Sequence, residues 1–386
     1  MQLSTPVLQS EIMSLALMSL LLGIPLLLAV LYVVDRNQTR HALRRNYPLL
    51  ARFRYLFEHL GEFFRQYFFA MDREEMPFNR AERSWVYRAA KKVDSTIAFG
   101  STRDLKPAGT ILFANCAFPK LQEEGLDTSA VTIGPFSREP YQATSVFHIS
   151  AMSYGAISAP AVLALSQGAK SAGIWMNTGE GGLSAEHLEG GADLIFQIGT
   201  AKYGVRDASG GLCPDRLSQI AAHEQVKMFE IKLSQGAKPG KGGVLPGSKV
   251  NAEVARVRGI PLGEDSLSPN RHPEVSSSED LLDLLETVRS VSGKPVGIKA
   301  VIGDHRWLQA LCSTINARGI ASAPDFITVD GAEGGTGAAP ASLIDYMGLP
   351  LRESLPLVVD ILKKHGLRER IRVIASGKLI NPAQIA

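Results

Sequence analysis

Cysteine is scarce: Cys116, Cys213 and Cys312 are the only three in 386 residues, far apart and odd in number. They show no metal-ligand spacing and no disulfide pattern, and they fit buried or free thiols in a reducing compartment. Excess charge is missing as well, because 41 Lys and Arg stand against 38 Asp and Glu, a net charge of +3. No nucleic-acid partner is therefore expected. No G-x-G-x-x-G follows a strand pattern, so no dinucleotide fingerprint is found on this chain. What is abundant is apolar residue, 45% of the chain, enough for a large core. The length suits two or three domains, or one barrel with a leader.

Charge is absent altogether from Ile12 to Val34, IMSLALMSLLLGIPLLLAVLYVV. At about 1.5 Å rise per residue this run can cross roughly 30 Å of hydrocarbon as a helix. A signal peptide competes, but no Lys or Arg precedes the run and its core is too long, so an anchor over residues 1–35 is the reading. Arg36, Arg40, Arg44 and Arg45 follow, whereas Glu11 is the only charge before it. That asymmetry predicts a single pass through the inner (cytoplasmic) membrane with the body facing the cytoplasm.

Residues 36–95 are basic and aromatic. Apolar positions recur every three or four residues from Leu49 to Phe69, which predicts an amphipathic helix that either lies on the membrane surface or packs on the body. A second helix is expected over Asn79 to Lys92 with Asn79 as its cap. Residues 96–145 show no helical period and read as an irregular leader, with short strand-like runs at Ile111 to Asn115 and Ala130 to Gly134.

From residue 146 the pattern alternates. Candidate strands are Phe147 to Met152, Ile174 to Asn177, Leu194 to Ile198, Met228 to Leu233, Val296 to Val301, Phe326 to Asp330 and Ile371 to Ala375. Helical stretches such as Ala159 to Ala172 and Asp280 to Val291 lie between them. The expected fold over 146–386 is α/β, a TIM (β/α)8 barrel with parallel strands. Only seven strands are found, so an eighth is expected beyond Ala386 and the barrel reads as C-terminally truncated. Lys232 ends the strand within EIKLS and precedes a loop with glycine at 236, 240, 242 and 243. Lys299 ends VGIKAV, and FITVD runs into GAEGGTGA at 331–338. Lysines and glycine loops recurring at strand ends describe an anion-binding face at the top of a barrel.

Five motifs make the reading more specific: AMSYGAIS (151–158), NTGEGG (177–182), QGAKPGKGG (235–243), LPGSKV (245–250) and DGAEGGTGA (330–338). Together, in this order, they resemble the FMN-binding synthase domain of the glutamate synthase family, in its short, stand-alone form. The resemblance implies FMN as cofactor. It implies contacts to the flavin ring from Ala151, Met152, Ser153 and Gln197, a cation at the reduced ring from Lys299, and phosphate and ribityl contacts from Gly334, Gly335, Thr336 and Gly377. It implies that Lys232, Lys238, Arg258 and Ser277 hold a dicarboxylate such as 2-oxoglutarate, and that Glu180 exchanges protons at the reacting carbon. On sequence alone Glu180 is equally a cap or turn residue, and Gly155 equally a tight turn. Glu180, Lys232 and Lys299 form the expected catalytic set.

Two departures stand out. Val244 occupies a position where the amidotransferase-linked enzymes carry glutamine, and Asn381 and Pro382 replace a usual glycine and arginine. The family's 3Fe-4S cluster is expected only in a longer C-terminal segment. The implied reaction is reduction of 2-iminoglutarate, formed from 2-oxoglutarate and ammonia or an amine, to L-glutamate. Electrons would come from ferredoxin or a separate donor subunit, and nitrogen from free ammonia, an amine or a separate amidotransferase. The alternatives are a 2-hydroxy-acid oxidase, for which His148, His187, His223 and His305 lack the pattern, and a non-catalytic membrane-tethered barrel or truncated relic.

Overall fold

The structure, a computed structural model, describes residues 5–94, 96–125, 130–233, 242–336 and 339–386. The chain forms two compact units, Met1–Asn115 and Cys116–Ala386.

In the first unit one helix runs Thr5–Asn37, and an apolar run within its stretch Leu17–Asn37 has a mean hydropathy of 2.6 and is not buried. By length and composition it can cross a membrane. Its end is tied down. The buried Asp35 carboxylate accepts two bonds from Arg52, each 2.8 Å, and a third from the Leu49 backbone N–H at 3.1 Å. Such a bidentate pair fixes both distance and orientation. Arg52 belongs to the helix Leu50–Phe64, which continues into a π-helical turn, Arg65–Phe69. Spacing of three, four and seven residues sets Leu50, Phe53, Phe57 and Phe64 along one exposed stripe. The helix Arg80–Ala90 starts with a reciprocal cap: Asn79 Oδ1 accepts the Glu82 N–H at 3.0 Å and Glu82 Oε2 accepts the Asn79 N–H at 2.9 Å. The run Ile111 to Asn115 forms no strand; Ile111, Leu112 and Phe113 stay exposed. Five residues of strand-like composition need a partner strand, and none pairs with them among the described residues.

Among the described residues the second unit carries ten strands: β1 Val131–Ile133, β2 Tyr141–Ala143, β3 Trp175–Asn177, β4 Asp193–Ile198, β5 Val226–Lys232, β6 Val244–Leu245, β7 Ser266–Leu267, β8 Val296–Val301, β9 Phe326–Asp330 and β10 Arg372–Ser376. Six of them form one parallel sheet in the order β10-β9-β8-β5-β4-β3. Helices such as Ala159–Ala172, Ser278–Ser292, Arg306–Arg318 and Leu351–Lys364 make the crossovers that parallel pairing requires. The expected first strand, Phe147 to Met152, is reduced to a single bridge, Ile149 to Met176. Ile149 alone makes both ladder bonds, to the Trp175 carbonyl and from the Asn177 N–H. Beyond it Ser150 Oγ meets Ser376 Oγ of β10 at 3.0 Å, so the two margins of the sheet approach each other. The result is an α/β fold with a curled, parallel half-barrel.

Side chains alternate across this sheet with period two. Met176, Leu194, Phe196, Ile198, Phe229, Ile231, Val296, Ile298, Ile327 and Val329 face the helices and form the main core with Val162, Leu217, Leu285, Leu308 and Val358. Burying a side chain of this kind stabilises by about 1.5–3 kcal/mol. The opposite, inner face carries a second cluster, Trp175, Ile195, Met228, Phe326 and Ile374, closed off by Ile133, Tyr141 and Ala143 of the β1–β2 hairpin. The stretch expected as an irregular leader thus supplies an ordered plug at the N-terminal ends of the strands. Tyr141 donates to Asp193 at 2.9 Å and Arg372 donates to the Thr132 carbonyl at 3.0 Å, which pins that plug in place.

Candidate active site

Towards their C-terminal ends the same strands change character. On the inner face Trp175 is followed by Asn177, Ile195 by Gln197, Met228 by Glu230 and Lys232, and Phe326 by Thr328 and Asp330. Lys299 comes from β8, where it is the register partner of both Lys232 and Thr328. Polar groups buried at one level must pair with one another, and they do. Glu230 accepts from Asn177 at 2.8 Å, from Gln197 at 2.6 Å and from Thr328 at 2.6 Å. Lys299 Nζ meets Asp330 Oδ2 at 3.0 Å. Burial opposes the charge on Lys299, but Asp330, Glu230 and Glu180 outweigh it and hold the ammonium above its ordinary range.

Above this layer the loop Thr178 to Gly182 folds onto the first bridge segment. Gly179 is left-handed, at φ +66°, and a Cβ there would lie 2.6 Å from both the Met152 carbonyl carbon and the Ser153 nitrogen. Only glycine permits that approach. The loop delivers Glu180, whose Oε1 lies 3.5 Å from Lys232 Nζ; both side chains are less than a fifth exposed. The Lys232 carbonyl receives the His272 ring nitrogen at 2.9 Å, and burial lowers the His272 pKa. Arg258 is buried beside them, donating to the Tyr154 carbonyl at 3.0 Å and to Ser266 Oγ at 3.2 Å, with its guanidinium 4.9 Å over the Tyr203 ring. Its Nε is buried without a hydrogen bond among the described residues.

On the far side of the mouth two glycine turns touch. Gly377 sits at φ +127°, where a Cβ would lie 3.1 Å from the Gly331 nitrogen, and a Cβ on Gly334 would lie 3.4 Å from the Gly377 Cα. The Gly331 N–H also bonds the Ser376 carbonyl at 2.8 Å. Among the described residues nothing lies within 4 Å of where a Cβ on Gly335 would stand.

Glu180, Lys232, Lys299, Gln197 and Arg258 therefore come together, and the backbone of Met152 and Ser153 borders the same mouth. The peptide groups of Ala151 and Met152 make no hydrogen bond among the described residues, whereas the Ser153 carbonyl accepts from Ala156 and Ile157. Gly334, Gly335 and Gly377 form the opposite turns, with Thr336 directly after them. Ser277 stands at the N-cap of Ser278–Ser292, accepting the Asp280 N–H at 3.2 Å, and its hydrogen bonds stay within that cap. Lys238 lies outside the described residues. Three participants escaped the sequence reading: Glu230, Asp330 and Tyr203. Glu230 had a signal, an acid in the middle of the apolar strand MFEIK, which can be buried only if it is paired.

Residues 120–386 match the family described as the conserved region in glutamate synthase. The glutamate synthase large subunit-like protein YerD of Bacillus subtilis is 39% identical over 419 aligned residues, covering 97% of this chain and 79% of that protein. The archaeal-type glutamate synthase (NADPH) of Thermotoga maritima is 37% identical over 238 residues, covering 61% of this chain and 43% of that protein. An archaeal glutamate synthase (NADPH) of Methanocaldococcus jannaschii is 37% identical over 232 residues, 59% of this chain and 42% of that one. The chain thus spans less than half the length of these last two relatives.

Proposed function

The chain belongs to the glutamate synthase family, and from that premise we propose that it is an FMN-dependent oxidoreductase of glutamate synthesis that reduces 2-iminoglutarate to L-glutamate. The observation that carries the reading is the change of the inner face from apolar to charged at the strand ends, which sets Glu180, Lys232 and Lys299 around one mouth.

The residues present fit FMN. The peptide groups of Ala151 and Met152, which have no hydrogen bond among the described residues, and the side-chain carbonyl of Gln197 suit a ring edge. Lys299 suits a ring that gains negative charge, and the adjoining Gly334, Gly335, Thr336 and Gly377 turns suit a phosphate. Bound FMN supplies the hydride that the iminium carbon accepts. Lys232, Lys238, Arg258 and Ser277 are proposed to hold the dicarboxylate and to polarise its keto group. Glu180, kept within reach of Lys232, gives and takes the protons of imine formation.

Nitrogen comes from free ammonia, an amine or a separate amidotransferase, and electrons from ferredoxin or a separate donor subunit. The apolar helix anchors the protein in the inner membrane by a single pass, with the catalytic unit on the cytoplasmic side. The exposed stripe Leu50, Phe53, Phe57 and Phe64 supports seating of the helix Leu50–Phe64 in the lipid interface beside that anchor.

The test is anaerobic. The purified full chain should be yellow, and after photoreduction its absorbance should return on adding 2-oxoglutarate together with ammonia, more slowly with other oxoacids or methylamine. A chain that takes up no FMN, or whose reduced flavin is indifferent to that pair, overturns the proposal.

A further inference from the structure

Glu230 lies mid-strand in β5, on the inner face, and is 1% exposed. Its Oε1 accepts Asn177 Nδ2 and Gln197 Nε2, and its Oε2 accepts Thr328 Oγ1. A carboxylate only accepts, so both carboxamides must turn their NH2 groups towards it. The consequence differs for the two. The carbonyl of Asn177 is taken up by the Gly179 N–H at 3.0 Å. The carbonyl of Gln197 has no partner among the described residues. Rotating that carboxamide by half a turn would set its oxygen against the carboxylate at the distance of a hydrogen bond, with no water to screen the repulsion. Glu230 thereby decides which end of Gln197 is available to a ligand. It also adds to the field that keeps the neighbouring Lys299 charged.

We propose that Glu230 is a positioning residue that makes Gln197 an obligate hydrogen-bond acceptor, so that the site selects a ring edge bearing an N–H. For a flavin this is the imide edge, N3–H beside a carbonyl. The inference rests on the FMN reading above and adds to it a rule about which edge is recognised and why.

The experiment is a fluorescence titration of the full-length apoprotein with FMN and with 3-methyl-FMN, which lacks the N–H. Wild type should prefer FMN by about tenfold, the worth of one buried hydrogen bond. Glu230→Gln should keep the preference, because its carbonyl still accepts from both amides while Thr328 accepts from its NH2. Glu230→Leu should reduce it to less than about twofold, because Gln197 can then turn. Equal affinity for the two flavins in wild type overturns the inference and leaves the FMN reading standing, as does a folded Glu230→Leu protein that retains the preference. A wild-type chain that binds neither flavin overturns both. If Glu230→Leu does not fold, the Gln197 side-chain N–H resonances of the wild-type apoprotein decide: protection from solvent exchange supports the lock, and free exchange removes it.

Discussion

The two faces of the central sheet are made from the same strands and obey opposite rules. Outward, Phe196, Phe229, Ile231 and Ile298 belong to the main apolar core beneath the helices. Inward, Trp175, Ile195, Met228 and Phe326 lie towards the plugged end, and the same strands continue to Asn177, Gln197, Glu230 with Lys232, and Thr328 with Asp330. The difference teaches where stability and function separate. The outer face supplies the area removed from water that holds the fold. The inner face gives up part of that burial to collect groups that are useful only when brought together.

The contrast is broken most severely from outside. Phe229→Ala, which empties a position packed 5.8 Å from the Phe196 ring, should lower unfolding free energy by about 3–5 kcal/mol in a denaturant titration while leaving flavin affinity unchanged. A large loss of flavin from a folded Phe229→Ala protein would deny the separation.

Acid sharpens the comparison, because an imidazole stands on each face, apart from His272 at the mouth. His148 stacks on Trp175 at the plugged end, and His187 is wholly buried beside Ser184 on the helix side. Burial holds each near a pKa of about 4, against the hydrogen bond of His148 Nε2 to the Ser145 carbonyl in the first case and the charge of Glu186 in the second. Both imidazoles are therefore neutral when folded, whereas an unfolded histidine gains its proton near pH 6.5. The unfolded chain binds more protons between these values, so stability is full above about pH 6.5 and falls as the pH drops towards 4. The expected loss is roughly 1–3 kcal/mol for each, and His187→Gln should flatten its share of the slope in melts taken across that range.

Two smaller changes test the rim. Ser277→Ala should cost about 1 kcal/mol of stability as a lost N-cap, read by denaturation, and Ser277→Asp should restore it. Val244→Gln places an amide where linked enzymes of the resembling family carry one. It should tighten 2-oxoglutarate binding by about tenfold, measured by titration of the oxidised protein.

Much of this was legible residue by residue. The strand ends at Lys232 and Asp330 and the cap at Asn79 follow from short-range chemistry, and the structure reproduces them. Ile111 to Asn115 misled because strand composition says nothing about a partner, while Val131–Ile133 became a strand because Tyr141–Ala143 returns beside it. Glu230 was passed over for the opposite reason: period-two alternation places it on a face, but its three donors come from three other strands.

What the sequence determined by itself is local: the apolar helix, the alternation of strands and helices, and the glycines that let Gly179 and Gly377 turn where a Cβ would collide. Only the tertiary structure decided which side chains share the mouth. Lys232 and Lys299 are 67 residues apart in sequence yet stand in register on adjacent strands, and Gln197 acquires its polarity from an acid 33 residues away. Hydrogen bonds and charges act over a few ångströms of space, so their partners are fixed by how the sheet curls.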